Sequence, residues 1–301
     1  PCINATGRLE SADISVKLLL ASADDITYRA ELAEKLASLN EERKALTAEG
    51  VDRAFKALSQ TEPDKVLVFA DAETHESVAG IVAGRVKDVF NRPAIILTRG
   101  DTPDGFKGSG RSIEGYNMFE ALYKYRNLFL RFGGHAMAAG LTLPEENIPL
   151  LRENLNRDCA LTGEDFRPMW ALDGLLKPEG IDLALSGELS RLAPFGKGNP
   201  EPLFASEGLI PETLRVIDEK STIIFTFLCE NGKRLKGICF GLNEKFAEEL
   251  TAFDERRRMT IRAGAPKQAG LVMDAVYGVE TNLYNGVKSV QLRIRDFTLK
   301  I

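Results

Sequence analysis

The longest regular pattern of apolar positions lies between Asp25 and Leu58, a stretch without proline. Its leucines recur at spacings that place them near one face of a helix. They are Leu32, Leu36, Leu39, Leu46 and Leu58. Asp24 or Asp25 is suited to begin such a helix, because a carboxylate accepts hydrogen bonds from the first free backbone amides. The pattern therefore predicts one long amphipathic helix, which we interpret as a strut that connects two domains.

From residue 61 the pattern changes to short apolar runs that alternate with helical patterns. The runs at 65–70 and 92–99 are typical of buried strands, and residues 78–90 and 144–159 are typical of helices. Between them, a glycine-rich loop at 105–113 opens onto a helix predicted for 115–132, and residues 133–143 read as a turn followed by a strand. This alternation predicts an α/β domain with a parallel or mixed sheet over residues 61–160.

The rest of the chain consists mainly of short strand candidates with alternating polarity, separated by Gly, Asn and Pro. There are seven candidates, including residues 259–265, and one helix is predicted at 243–250. Such a series with a helix between two strands predicts an OB-type β-barrel. The predicted fold class is thus α/β plus all-β, with a connecting part at 1–60, an α/β domain at 61–160 and a barrel at 161–301.

Charge is unevenly distributed along this chain of 301 residues. The net charge is −5, which by itself does not indicate a nucleic-acid-binding protein. Residues 85–135 and 251–301, however, each contain nine Lys or Arg against five Asp or Glu. Two locally basic segments suit a polyanion bound along one face, and they are equally compatible with ordinary solvated surface charge.

The cysteines and histidines argue against a metal or disulfide framework in this chain. The cysteines lack C-x-x-C spacing, and only His75 and His135 accompany them, so a closed zinc site is not expected. The cysteines are Cys2, Cys159, Cys229 and Cys239. With no membrane span or signal peptide in the pattern, we expect a cytoplasmic protein with reduced thiols and no membrane partner. The chain begins with proline, and we expect it to be a fragment.

Two short motifs are candidates for binding an anion. Residues 108–112, Gly-Ser-Gly-Arg-Ser, combine backbone amides, two hydroxyls and a guanidinium, which suits a phosphate; the alternative is a surface turn. His135 follows two glycines and precedes several small residues, so it is placed to contact a closely approaching phosphate. The alternative for His135 is an ordinary turn histidine.

Three further residues are weaker candidates. His75 follows a buried strand, at the edge where open α/β sheets bind ligands, but a structural role at a helix start is favoured. Asp71 has no second carboxylate placed to share a metal ion. Lys197 lies in a Pro- and Gly-rich loop and is a candidate phosphate contact, although an architectural role of this loop is favoured.

Six stretches, taken in order, resemble the second half of the RecJ family, which belongs to the DHH phosphoesterase superfamily. Together they span essentially the whole chain, and their order makes the resemblance specific. They are residues 1–9, 74–97, 108–122, 131–143, 192–204 and 285–297.

The resemblance implies a single-stranded-DNA-specific 5′-to-3′ exonuclease that acts in recombination and repair. In the family, an N-terminal domain with an Asp-His-His motif binds two Mn²⁺ or Mg²⁺ ions. No Asp-His-His occurs here, so the resemblance places the metals in a missing N-terminal domain, with none expected in this chain. The chain itself resembles the end of that domain, the connecting helix, the DHH-associated domain and the OB domain, which hold the strand and its 5′ end.

The resemblance also implies roles for individual residues. Ser109 and Arg111 match the serine and arginine that hold the 5′ phosphate, and Arg8 matches an arginine that assists them. His135 matches a catalytic histidine that faces the scissile phosphate, and Arg85 matches a contact to the DNA backbone.

One position departs from the family pattern, and two alternatives to the exonuclease remain. The family commonly has arginine where this chain has Cys2, which implies a weaker phosphate contact there. The implied partners are single-stranded DNA, a single-strand-binding protein and a helicase. One alternative is a non-catalytic strand-binding module in which Phe225 and Phe227 stack on bases. The other is a phosphoesterase that acts on short oligonucleotides.

Overall fold

A computed structural model describes residues 1–60, 62, 64–99, 105–196, 198–217 and 221–300. The chain divides into two compact units, Pro1–Pro168 and Met169–Ile301. Lys197, one of the weaker site candidates, lies outside the described residues. In the described part of the chain, no helix combines the length and the apolar character needed to cross a membrane.

The first unit begins with three helices, α1 (Cys2–Leu9), α2 (Asp13–Leu20) and α3 (Ile26–Leu58). The long helix predicted from the leucine spacing is thereby confirmed. Asp25 is its N-cap, with a side-chain oxygen that accepts a hydrogen bond from the Tyr28 backbone N–H at 3.2 Å. The helix buries Leu36 and Leu39, two of the leucines that define its apolar face.

A five-stranded mixed sheet forms the centre of the first unit, in the order β1-β2-β3-β5-β4. Only β1 and β2 are parallel, and the other neighbours are antiparallel. The strands are β1 (Leu67–Ala70), β2 (Ala94–Arg99), β3 (Phe106–Arg111), β4 (Arg131–His135) and β5 (Ala138–Leu143). The further helices of this unit are α4 (Glu76–Phe90), α5 (Met118–Tyr123) and α6 (Ile148–Arg157). The mixed α/β domain is therefore confirmed.

Strand β2 is buried on both faces, which explains its continuous apolar sequence. Ile96 packs with α4 in one core cluster, whereas Ile95 and Leu97 pack on the opposite side with residues of α5 and α6. Helix α4 lies over β2 and β3 on one side of the sheet. On this side β3, β5 and β4 carry polar and small side chains.

Two local predictions for the first unit are wrong. The expected glycine-rich loop at 105–113 contains strand β3, which is paired on both sides. The helix expected over 115–132 is limited to Met118–Tyr123, and its last two residues belong to β4. In both cases pairing with β5 outweighs local propensity, because a strand in the sheet satisfies its backbone hydrogen bonds across the sheet.

The second unit contains a seven-stranded sheet in the order β6-β7-β11-β12-β10-β9-β8. Its strands are β6 (Gly174–Leu175), β7 (Phe204–Leu209), β8 (Pro211–Ile217), β9 (Thr222–Leu228), β10 (Arg234–Phe240), β11 (Val272–Tyr284) and β12 (Val287–Lys300). Its helices are α7 (Leu183–Ser190), α8 (Asn243–Glu249) and α9 (Glu255–Arg262). The helix expected at 243–250 is present as α8.

The strand expected at 259–265 is wrong, because its first residues belong to α9. Asp254 caps this helix and accepts a hydrogen bond from the Arg257 backbone N–H at 2.9 Å. Ile261 is the buried residue of the helix. The short apolar alternation at 259–265 resembles a strand, whereas the capping aspartate five residues before it indicates the helix.

Phe225 and Phe227 form the centre of the second core and do not face solvent. Their exposed fractions are 0% and 1%, and their rings stack with centroids 5.6 Å apart. Phe246 and Phe297 complete the cluster around Phe225. The interpretation that these two phenylalanines stack on bases is therefore wrong. Strand β9 alternates, and its odd-numbered residues face the core.

Candidate functional site

Strand β3 presents alternate side chains to opposite faces of the sheet, and this divides its residues into two sets. Phe106, Gly108 and Gly110 face the core, where a Cβ on Gly108 would overlap Leu97 and Leu141. The other set, Lys107, Ser109 and Arg111, faces the side on which α4 lies. The glycines of this segment therefore serve close packing, and the residues between them supply a polar face.

The prediction that the backbone amides of residues 108–112 are free to bind a phosphate is wrong. Strand β3 is paired with β2 on one side and with β5 on the other, so the sheet uses its backbone amides. Ser112 is buried, and its hydroxyl donates to the Tyr116 carbonyl oxygen at 2.6 Å. The groups that remain available to an anion are the Ser109 hydroxyl and the Arg111 guanidinium.

The strand register places the residues expected to bind DNA on one face. Arg111 pairs with Ala138, which pairs in turn with His135. Paired residues project to the same face, and two strand spacings of ~4.8 Å separate the backbones of Arg111 and His135 by roughly 10 Å. The structure thus brings Arg111 and His135 to a shared surface, which we call the open face, together with Lys107, Ser109 and Arg131.

Glycine and alanine form the floor of the open face between these side chains. Ser109 pairs with Gly140, which pairs with Gly133. A Cβ added to either glycine meets no atom within 4 Å, so both lie under open space. The small residues that surround His135 in the sequence therefore leave a low surface, with Ala138 between Arg111 and His135 and the two glycines in the neighbouring row beside Ser109.

The two glycines before His135 have different surroundings, so alanine at the two positions should have different effects on stability. Gly134 has φ +155°, and a Cβ there would overlap the Ala138 carbonyl oxygen and the Ala139 Cα. We expect Gly134→Ala to lower the free energy of unfolding by about 1–3 kcal/mol because backbone atoms must move. Gly133→Ala should change it by less than about 0.5 kcal/mol. Urea unfolding of both variants checks this, and equal losses would contradict it.

Helix α4 forms one wall of the open face, and Gly80 sets how closely it approaches. A Cβ on Gly80 would lie 2.7 Å from Arg111 Nη2 and 2.9 Å from Ser109 Oγ. His75 caps this helix, with Nδ1 accepting the Ser77 backbone N–H at 3.3 Å, so the structural interpretation of His75 is confirmed. The sequence reasoning missed Gly80, since only the three-dimensional structure shows its contact with the predicted site residues Ser109 and Arg111.

Two arginines meet at this wall. Arg111 Nη1 donates to Ser109 Oγ at 3.1 Å and to the Gly110 carbonyl oxygen at 2.8 Å, while Arg8 Nη1 donates to the Ser77 carbonyl oxygen at 3.0 Å. Burial, and then repulsion from Arg8, lower the pKa of Arg111. Across the described ranges neither guanidinium forms a salt bridge with a carboxylate. A bound anion would relieve this repulsion, so binding of a phosphate at the pair stays a prediction that the charge and the geometry favour.

Lys107 is a second residue that the sequence reasoning missed. Its Nζ lies 2.7 Å from Glu76 Oε2, at a shallow cavity of about 290 Å³ whose lining also includes Ser77, Ser109 and Thr142. The signal was present in the sequence, because Lys107, Ser109 and Arg111 alternate with period two, as in a strand with one polar face.

Arg85 and Cys2 are less closely tied to this site. Arg85 is exposed on α4, and within the residues described it forms no hydrogen bond or salt bridge with the other predicted site residues. Its contact to the DNA backbone stays a prediction. Cys2 is the first residue of α1 and is partly exposed as a free thiol.

The carboxylate of Asp71, which follows β1, is already used within the fold. Asp71 accepts hydrogen bonds from Arg53 Nε at 2.8 Å and from Thr74 Oγ1 at 2.5 Å. Although burial alone would raise the pKa of Asp71, the hydrogen bonds from Thr74 and Arg53 lower it overall. Among described residues there is no group of three or more His, Cys, Asp or Glu that could hold a metal ion. The described residues therefore do not fit a two-metal centre.

Comparison with known proteins gives two family models that match successive parts of the chain. The DHHA1 domain matches residues 63–160, and the RecJ OB domain matches residues 172–296. These matches confirm the resemblance and the OB-type assignment of the second unit.

Individual relatives agree with the domain matches. The chain is similar to the single-stranded-DNA-specific exonuclease RecJ of Bacillus subtilis, with 37% identity over 83% of this chain and 32% of the relative. It is also similar to the exonuclease of the same name from Haemophilus influenzae, with 32% identity over 98% of this chain and 50% of that protein. The chain thus spans about half or less of the length of these relatives.

A solved structure covers nearly the whole fold. The crystal structure of RecJ from Thermus thermophilus in complex with Mg²⁺ has a TM-score of 0.74 and 29% identity, over 99% of this chain and 42% of that one. A Mn²⁺ complex of the same protein has the same TM-score.

Proposed function

Since this chain carries the DHHA1 and OB domains of the RecJ family and belongs to that family, we propose that it is the strand-binding part of an exonuclease. The substrate is single-stranded DNA, which the complete enzyme hydrolyses from its 5′ end. The chain by itself binds the strand and does not cleave it.

The observation that carries this proposal is the arginine pair beside Ser109. A terminal 5′ phosphate has more charge than an internal phosphodiester and presents three oxygens that accept hydrogen bonds. Arg111, Arg8 and Ser109 supply hydrogen-bond donors for these oxygens, and all three lie against α4. The site therefore favours a phosphorylated strand end over the middle of a strand.

His135 acts next to this end site. The Met137 backbone N–H donates to His135 Nδ1 at 3.3 Å, so in the neutral ring Nε2 carries the proton. With the 5′ phosphate held at Arg111, the glycine floor leads the first nucleotide toward His135. We assign His135 Nε2–H as a donor to the scissile phosphate, where extra negative charge develops during hydrolysis.

The divalent metal of the complete enzyme, Mn²⁺ or Mg²⁺, is assigned to an N-terminal domain of the parent protein. The Mg²⁺ and Mn²⁺ complexes of the Thermus protein support a divalent metal in the parent enzyme. When bound, such ions activate water and stabilise charge on the phosphate. The residues of this chain bind and orient the strand.

The wider setting is part of the same proposal. The parent enzyme acts in the cytoplasm in DNA recombination and repair, with a single-strand-binding protein and a helicase as partners. Residues 1–60 connect the catalytic domain to the DHHA1 domain at 61–160, and residues 161–301 form the OB domain. The alternative of a non-catalytic binding module assumed that Phe225 and Phe227 stack on bases, and both are core residues.

The test is His135→Ala in the complete enzyme. We expect turnover on a 5′-phosphorylated single strand to fall about a hundredfold, the cost of removing one donor to a developing charge. The affinity for the strand and the melting temperature should change little. His75→Asn is the matched control, because asparagine keeps the helix cap. Turnover of His135→Ala close to that of the unaltered enzyme would refute the assigned role.

A further inference from the structure

Four aromatic rings form a continuous stack between α5 and the edge strand β4. Tyr123 stacks on Phe119 with centroids 5.8 Å apart and an interplanar angle of 22°. Phe119 stacks on Phe132 at 5.1 Å, and Phe132 on Phe129 at 5.5 Å. Nothing proposed so far uses this aromatic stack, and its outer ring, Tyr123, is 55% exposed.

Three cations lie on the segments that carry the stack: Lys124 and Arg126 follow α5, and Arg131 begins β4 on the face opposite to Phe132. Lys124, Arg126 and Arg131 are exposed, and none forms a salt bridge or side-chain hydrogen bond in the portion of the chain that is described. Elsewhere in this unit, exposed cations such as Arg99 and Arg152 pair with carboxylates. Unpaired cations beside an open aromatic ring match the charge and the flat faces of a single nucleic-acid strand.

Strand β4 contributes residues both to the open face and to the stack, which lie on opposite sides of the sheet edge. Arg131 begins this strand and His135 ends it, and both project to the open face, separated by about 13 Å along the strand. Phe132, the next residue after Arg131, projects to the opposite face and into the stack. A strand that runs from His135 along this edge therefore passes Arg131 and reaches Tyr123 if it turns around β4, the last strand of the sheet.

We propose that Tyr123 and its neighbouring cations form a second contact site for the substrate strand, beyond the cleavage position. A base stacks on the outer face of Tyr123 and extends the aromatic stack by one ring. Arg131 binds the phosphate that precedes it, and Lys124 and Arg126 add attraction for the polyanion. This inference rests on the proposed function, because it continues the path that starts at Arg111.

The site predicts that strand length and bases matter, as well as the 5′ end. We would measure fluorescence anisotropy of this chain with two 5′-phosphorylated single strands. One is too short to pass His135, and the other is long. Tyr123→Ala should weaken binding of the long strand about tenfold and leave the short strand unchanged. Tyr123→Trp should retain the affinity for the long strand. A long strand without bases should bind the unaltered chain and Tyr123→Ala equally weakly.

Controls separate this inference from the proposed function. Tyr28→Ala removes a partly exposed tyrosine of α3 and should bind both strands normally. Arg131→Ala should lower the slope of log affinity against log salt by about one. If Tyr123→Ala binds the long strand as tightly as the unaltered chain, the second site is refuted, and a role in contacting another protein is then favoured. If the unaltered chain binds no strand at all, the proposed function fails.

Discussion

Replacing Arg111 by alanine is expected to weaken binding of a 5′-phosphorylated single strand by about ten- to a hundredfold. Arg111 is held against α4 by Ser109 and by the glycine at position 80, so its guanidinium has little freedom to lose when the phosphate binds. Each charge-assisted hydrogen bond that disappears costs about 1.5–3 kcal/mol. Anisotropy titrations of labelled strands measure the change.

The 5′ end itself provides the internal control for Arg111→Ala. A strand with a 5′ hydroxyl lacks the terminal phosphate, so its affinity should hardly change in the variant. Arg111→Lys should recover part of the affinity, because lysine keeps the charge but not the forked donors. Arg167→Ala, which removes an exposed arginine paired with Glu164, serves as the matched surface variant. Equal losses for the phosphate and hydroxyl strands would show that Arg111 does not recognise the end.

Phe225→Ala is expected to lower the free energy of unfolding of the second unit by about 3–5 kcal/mol. Phe225 is fully buried and contacts three other phenylalanines, so its removal leaves a cavity at the centre of the core. Urea unfolding followed by circular dichroism measures the loss. The matched control is Thr226→Ala, the next residue on β9, whose side chain faces the other side of the sheet and is only half-buried.

A core role and a base-stacking role of Phe225 predict different experimental results. Replacing a core residue lowers the stability of the protein. Under conditions where the variant remains folded, the affinity of the variant for single strands should be unchanged. A base-stacking residue changes affinity with little change in stability. Loss of affinity by Phe225→Ala without loss of stability would restore the base-stacking interpretation that the burial of this residue overturns.

Long, strongly periodic elements were predictable from the sequence, because their apolar spacing alone determines which face is buried. Helix α3 is of this kind, and β1 and β2 were predictable for another reason, as short continuous runs of apolar residues. Strand β3 was not predicted, since three glycines within 105–110 lower strand propensity and resemble a loop. Its pairing on both sides comes from neighbours far away in the chain, and a reading of local propensity has no access to them.

In the candidate site, too, the sequence predicted some features and could not predict others. Ser109, Arg111 and His135 were identified through motifs and a family resemblance, which carry no information on distance. The register of three strands is what places Arg111 and His135 in one row. Gly80 and Lys107 were missed because their relation to the site exists only where α4 packs on β3.

The alternation along β3 constrains how this region can evolve in length. Adding or deleting one residue between Phe106 and Arg111 would exchange the two faces of the strand downstream of the change. A guanidinium would then be driven into the apolar interior while a glycine replaced it at the surface. Insertions and deletions tolerated by selection are thus expected to leave this hexapeptide intact and to accumulate in the connections on either side of it.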